Sequence, residues 1–204
     1  MTSTMAMMRN AGWNLALAAA GLMMWLLGAG GCSTPSVHTI ATPDTVMQED
    51  GLVGTWQGEG ESGGYVITKD GSKYVMTTKE EGGLGETYTF EMTLVRIGDK
   101  TYADFCAPES VQRETGDKWG PMFVPTHLFA RWELKEDTLT VWMLDRDWVE
   151  RATQAGTVNL AHTRLDRDTV LITADTAALQ KFLSEQGASS AAFANMTTLK
   201  RKAQ

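Results

Sequence analysis

The sequence predicts a mainly β domain, an antiparallel meander closing into a barrel with two short helices. From Gly51 onward, apolar and polar residues alternate with a period of two. Turn residues recur at short intervals, and only two stretches carry helix signals. Closure is expected because an open sheet of roughly nine or ten strands leaves two unpaired edges.

Leu52 to Gly58 reads as the first strand, and Gly63-Gly64 precede a second from Tyr65 to Lys69. Asp70-Gly71 marks a two-residue hairpin turn of type I′, which needs positive φ. Ser72 to Lys79 is the return strand, and the glycine-rich stretch Glu80 to Glu86 is a loop. Thr87 to Ile97 places Tyr88, Phe90, Met92 and Leu94 on one face and Thr87, Thr89, Glu91 and Thr93 on the other, the pattern of a half-buried antiparallel strand. Gly98-Asp99-Lys100 turns the chain into Thr101 to Ala107. A long connection from Pro108 to Pro125 reads as a candidate lid or partner surface.

Thr126 to Leu134 and Thr138 to Leu144 form a further hairpin about Lys135-Glu136-Asp137. Asp147 and Glu150 have the spacing of a capping box for a helix from Trp148 to about Gln154, which Gly156 ends. Val158 to Leu165 and Thr169 to Thr173 are two more strands. Asp175 caps a helix from Thr176 to Gln186, with Ala177, Leu179, Phe182 and Leu183 apolar and Gly187 at its stop. Phe193 to Lys200 is a last short strand. No internal repeat and no domain break follow residue 50.

The first 31 residues have the order of a cleavable export signal: a start whose one charge is Arg9, an apolar run from Trp13 to Leu27, then small residues. An uncleaved membrane span is the alternative, since Ala11 to Gly31 approaches spanning length. The glycines and the lack of charges after the run favour cleavage. Ala29-Gly30-Gly31-Cys32 resembles the lipobox of bacterial lipoprotein signals, with Ala29 where Leu is common. The resemblance implies that Cys32 is alkylated with diacylglycerol and its new amine acylated, for instance with palmitate. Two or three chains at ~0.8 kcal/mol per buried methylene make a stable anchor. Ser33 follows, where proteins kept in the inner membrane often carry Asp. This implies the periplasmic face of the outer membrane in a Gram-negative cell. Residues 32–50, rich in Ser and Thr with Pro35 and Pro43, read as a flexible tether, and residues 51–204 as one domain.

Cleavage leaves about 170 of the 204 residues, enough for one core without staples. It also removes one cation, which takes the formal charge from −7 to −8. A negative domain argues against nucleic acid and against a polybasic membrane surface. With Cys32 lipidated, Cys106 has no partner for a disulfide. His38, His127 and His162 lie far apart and no metal-ligand spacing occurs, so no cofactor or metal is expected.

Gly54-Thr55-Trp56 on the opening strand resembles the lipocalin signature, in which Gly-x-Trp begins the barrel and the Trp closes its base. In that family an Arg near the last strand packs over the Trp, and Arg201 is the counterpart by position. The family's Thr-Asp-Tyr motif is not found, and the helix at Trp148 and the long connection after Ala107 depart from the pattern. Segments Val124 to Arg131 and Leu144 to Trp148 resemble uncharacterised small bacterial lipoproteins.

Cys106 is a candidate nucleophile with His127 or His162 as base, although inert packing is the more economical reading. Asp104, His127, Arg131 and Glu133 share one strand face. The opposite face (Leu128, Ala130, Trp132, Leu134) makes the better core, so the polar set is expected outward and solvated. Asp145 with Asp147 suggests a carboxylate pair, but a helix cap explains Asp147.

Two readings of function follow. One is a non-enzymatic envelope lipoprotein with a structural or protein-interaction role. The other is lipocalin-like binding of a small apolar ligand or lipid, with Tyr88, Phe90, Trp132 and Trp142 as lining. An enzyme lacks a recognisable set of catalytic groups. An interior cavity of about 300 Å³ or more would mark the binding reading.

Overall fold

The computed structural model describes residues 34–60, 63–80, 87–120, 123–165 and 169–203. The signal segment, with Ala29, Gly30, Gly31 and Cys32, lies outside the described residues.

Eleven strands are described: β1 Val46–Met47, β2 Gly54–Gly58, β3 Gly63–Asp70, β4 Lys73–Glu80, β5 Thr89–Ile97, β6 Lys100–Cys106, β7 His127–Lys135, β8 Thr138–Met143, β9 His162–Arg164, β10 Val170–Ile172 and β11 Asn195–Arg201. Three helices join them: α1 Glu109–Trp119, α2 Arg146–Gln154 and α3 Thr176–Gln186. β2 to β8 pair in sequence, all antiparallel, and β11 fits between β8 and β2 to close an eight-stranded barrel. The insertion between β8 and β11 holds α2, the separate β9–β10 hairpin and α3.

Three two-residue turns, Gly71-Ser72, Gly98-Asp99 and Glu136-Asp137, join strands at one end, the base. In each, only the first residue has positive φ, at 60°, 61° and 51°. That is the pattern of type II′, so the turn expected at Asp70-Gly71 sits one residue later. The longer connections lie at the opposite end, the mouth.

Alternation puts one set of side chains inside. Leu52, Trp56, Ile67, Tyr74, Met92, Leu94 and Leu139 are buried there and fill the lower barrel. A second core lies outside the barrel wall. Val95, Ile97, Tyr102 and Phe129 point outward and pack beneath Leu144, Val149, Leu179, Phe182, Leu183 and Phe193 from the inserted segment. Gly187 makes this docking possible, because a Cβ there would collide with the Tyr102 hydroxyl, which donates to Leu183 O at 3.1 Å. Burial pushes the Tyr102 phenol up to about 12. Arg131 stacks on Trp142 at 4.2 Å and donates to Gly187 O at 2.8 Å.

Several expectations are corrected. Residues 34–50 are not a free tether. They lie on the outer wall, running toward the mouth as far as Ser36 and then turning back past Asp104 to the base, with Thr34, Ser36 and Ile40 fully buried. The connection at 108–125 contains α1, which makes three helices rather than two. None of its residues is buried. The pairs Glu109–Arg113 and Glu114–Lys118 support it, and Glu91 accepts from Glu109 N at 3.0 Å. Lys73, then that N–H, hold the Glu91 carboxyl below its ordinary range. α2 is capped by Asp145, which accepts from Trp148 N at 2.6 Å, so the box at Asp147 and Glu150 does not form. The strand expected from Val158 to Leu165 is ordered as β9 only at His162–Arg164. α3 has the expected bounds and the Asp175 cap.

Glu136 is the single described non-glycine residue with positive φ, and it is exposed. A left-handed L-residue carries a penalty of about 1–2 kcal/mol that glycine escapes. Glu136→Gly is therefore expected to raise the urea midpoint by an amount worth about 0.5–1 kcal/mol, and an unchanged or lower midpoint would show that the turn carries no such strain.

Candidate functional site

The two barrel ends differ. The base is sealed by chain from both termini of the fold. A single 3-10 turn, Asp50–Leu52, enters beneath the barrel and buries Leu52. Trp56 is fully buried and donates from its indole Nε1 to Leu52 O at 2.9 Å. Arg201 lies over the Trp56 ring, 4.3 Å from its centroid. Its guanidinium donates to Val53 O at 2.9 Å, to Gly51 O, and to Asp137 at 2.9 Å. Gly54 favours glycine because its φ is 151°, and a Cβ there would also press on Arg201 Nη1. The Gly-x-Trp segment and Arg201 thus form one structural plug.

The mouth is open and apolar. Tyr65, Met76, Phe90, Phe105, Leu128 and Trp132 line it, with Met143 and Leu199 across the seam. The cavity measures about 60 Å³. That admits the end of a hydrocarbon chain and falls well short of the roughly 300–1,000 Å³ that encloses a drug-sized ligand. Phe105 tilts against Trp132 with centroids 6.3 Å apart. Trp132 is 3% exposed, and its indole Nε1 has no hydrogen-bond partner among the described residues. Of the four aromatics expected as lining, Phe90 and Trp132 are in place. Trp142 points to the outer wall and packs on the second core, and Tyr88 precedes β5, half-buried.

The polar face is outward, as expected, and Glu133 is exposed, but Asp104 is taken out of water. Asp104 is 3% exposed. One oxygen lies 2.7 Å from His127 Nδ1, and the other accepts from Thr39 Oγ1 at 2.5 Å and Ile40 N at 2.9 Å. Ser36 exchanges backbone bonds of 2.9 and 2.8 Å with His127, and Val37 donates to Ile172 O. From α3, Thr176 donates to Thr39 O and Gln180 to Ile40 O. The segment 34–42 is thus a strap held by the barrel wall on one side and the inserted segment on the other. Sequence reading missed it because its partners lie 64 to 140 residues away.

Cys106 is the cross-strand neighbour of His127, whose ring Asp104 orients. These are the three parts of a thiol triad. The chemistry does not follow, because no hydrogen bond joins Cys106 Sγ to His127 among the described residues. Burial, then the Asp104 and Glu91 carboxylates, push the thiol up to about 11, away from a nucleophilic thiolate. His162 binds Leu160 O instead. No group of metal-binding side chains is found among the described residues, and no described helix is long and apolar enough to cross a membrane.

Asp104→Ala leaves buried donors on Thr39 and Ile40 without an acceptor, at about 1–3 kcal/mol each. The variant is expected to lose about 3 kcal/mol or more in urea unfolding and to be cut by protease within residues 34–45 first. An unchanged digestion pattern would contradict the strap. In a chain starting at Ser33, alkylation of Cys106 by iodoacetamide at neutral pH is expected to be at least tenfold slower than for an ordinary thiol, rising steeply only near pH 10. A fast neutral reaction would return Cys106 to the list of nucleophiles.

Comparison of the chain with models of protein families, with curated proteins and with solved structures returns no match. What the chain itself shows is an eight-stranded antiparallel barrel with one sealed end and one apolar, open end.

Proposed function

We propose that this protein is a lipid-anchored, non-catalytic domain of the bacterial cell envelope whose barrel mouth takes the end of a small apolar molecule or lipid chain. The anchor rests on Cys32 and the small residues Ala29, Gly30 and Gly31 that precede it. The single observation that carries the binding is the mouth, lined almost wholly by apolar side chains over a filled floor. The indole Nε1 of Trp132, a residue that lines this mouth, is a buried donor without a partner among the described residues. The plug of Trp56 and Arg201 supports a lipocalin-like reading of the barrel, since Gly-x-Trp and a late Arg have these places in that family.

A second reading, a structural or protein-interaction role, is favoured by the small cavity and the side chains that fill the lower barrel. α1, a helix with no buried residue, would then serve a partner protein. Size separates the readings: about 60 Å³ fits a chain end and not a whole enclosed lipid.

Cells grown with labelled palmitate are expected to label the wild-type chain and not Cys32→Ser. Native mass spectrometry of the protein from its own host is then expected to show a co-purifying lipid or apolar metabolite. Leu128→Gln at the mouth is expected to weaken that association about tenfold or more. A protein partner in place of the small molecule would support the second reading, and absence of palmitate label would remove the anchor.

A further inference from the structure

The strap determines how an anchored barrel would stand on its membrane. Thr34 is fully buried, and Ser36 is bonded to His127, the first residue of β7. Ser36 pairs antiparallel with β7, so the strap enters running toward the mouth and Thr34 lies about level with Phe129, the third residue of β7; the folded body therefore begins in the mouth half of the wall. One residue, Ser33, lies between Thr34 and Cys32, a span of at most about 7 Å even when fully extended. A lipid on Cys32 therefore has no slack that would let the domain turn its base to the bilayer.

The exposed apolar side chains fall at the same end. Val111 and Trp119 on α1, Val124 before β7 and Met196 at the start of β11 all belong to mouth connections or strand ends, at 48%, 59%, 55% and 60% exposure. Val53 is the exposed counterpart at the base, and Leu165 lies in the β9–β10 connection. Trp at an interface is favoured because its ring is apolar and its N–H is wet. With a formal charge of −7 for the whole chain, attraction to anionic headgroups is not the driving force.

We infer that the barrel mouth docks on the surface of the bilayer that holds the anchor, with Trp119, Val124 and Met196 at the headgroup level and the mouth pocket facing the acyl chains. The inference rests on the anchored reading above and names the partner of the same site: a zwitterionic phospholipid surface. The apolar chain end then enters from the membrane and not from solution.

Protein carrying its native anchor, reconstituted in phosphatidylcholine–phosphatidylethanolamine vesicles, tests this. A nitroxide is placed at Val124→Cys or at Ser72→Cys, each in Cys106→Ala. Both labelled positions are exposed, one near the mouth and one in a base turn. Relaxation by oxygen against a water-soluble nickel chelate is expected to favour oxygen about fivefold or more at 124 relative to 72. Trp119→Ser with Met196→Ser is expected to reduce that contrast while palmitate labelling stays unchanged. Equal, aqueous accessibility at both positions in palmitate-labelled protein overturns the docking and leaves the anchor standing. Lipid depth at 72 with water at 124 overturns it as well. Absence of palmitate from the same preparation overturns both.

Discussion

The contact on which the rest depends is the Arg201 guanidinium over Trp56. It joins the last strand to the first strand of the barrel, 148 residues away where Arg201 donates to Val53 O. The ring face attracts the cation by roughly 0.5–2 kcal/mol, and the three acceptors around the guanidinium fix its plane. β11 can close the barrel only in the register this permits, with Arg201 opposite Trp56 and Leu199 opposite Gly58. One end is thereby filled, and the apolar surface that remains unfilled lies at the other.

The barrel wall works on both faces. Inward residues such as Met92 and Leu94 fill the interior, while Val95 on the same strand and Tyr102 on the next support the second core. This double use lets a modest chain carry an inserted segment of two helices and a hairpin. It also lets the strap, polar in composition, be buried: Asp104 is taken out of water with three partners and not one. The strap and α3 hold each other, so the start of the folded body has a defined place in the mouth half of the wall.

Local signals were legible in the sequence, and distant ones were not. The barrel strands follow from alternation, and α3 follows from its Asp175 cap, its apolar stripe and Gly187, all within a dozen residues. α1 escaped because it has no buried stripe. Its support is two ion pairs at i,i+4 and the Glu91 carboxylate on another strand. Residues 34–42 read as a tether because Ser, Thr and Pro usually stay in water, whereas Thr39 and Ser36 find partners that only the fold supplies. Trp142 was misplaced because both faces of β8 carry apolar residues: Leu139 and Val141 face the interior and Trp142 the second core. At the site, Trp56 and Arg201 were legible through a motif, and Trp132 through its strand face. The size of the mouth was not, because it depends on how many side chains meet at the floor.

The central claim is that the barrel interior is sealed at the base and opens to an apolar ligand at the mouth. Indole proton–nitrogen spectra of the folded domain, recorded during titration with a medium-chain fatty acid, test this most directly. The account predicts that the Trp132 resonance moves while those of Trp56 and Trp142 stay in place. Movement of Trp56, or saturation with all three unmoved, would contradict it.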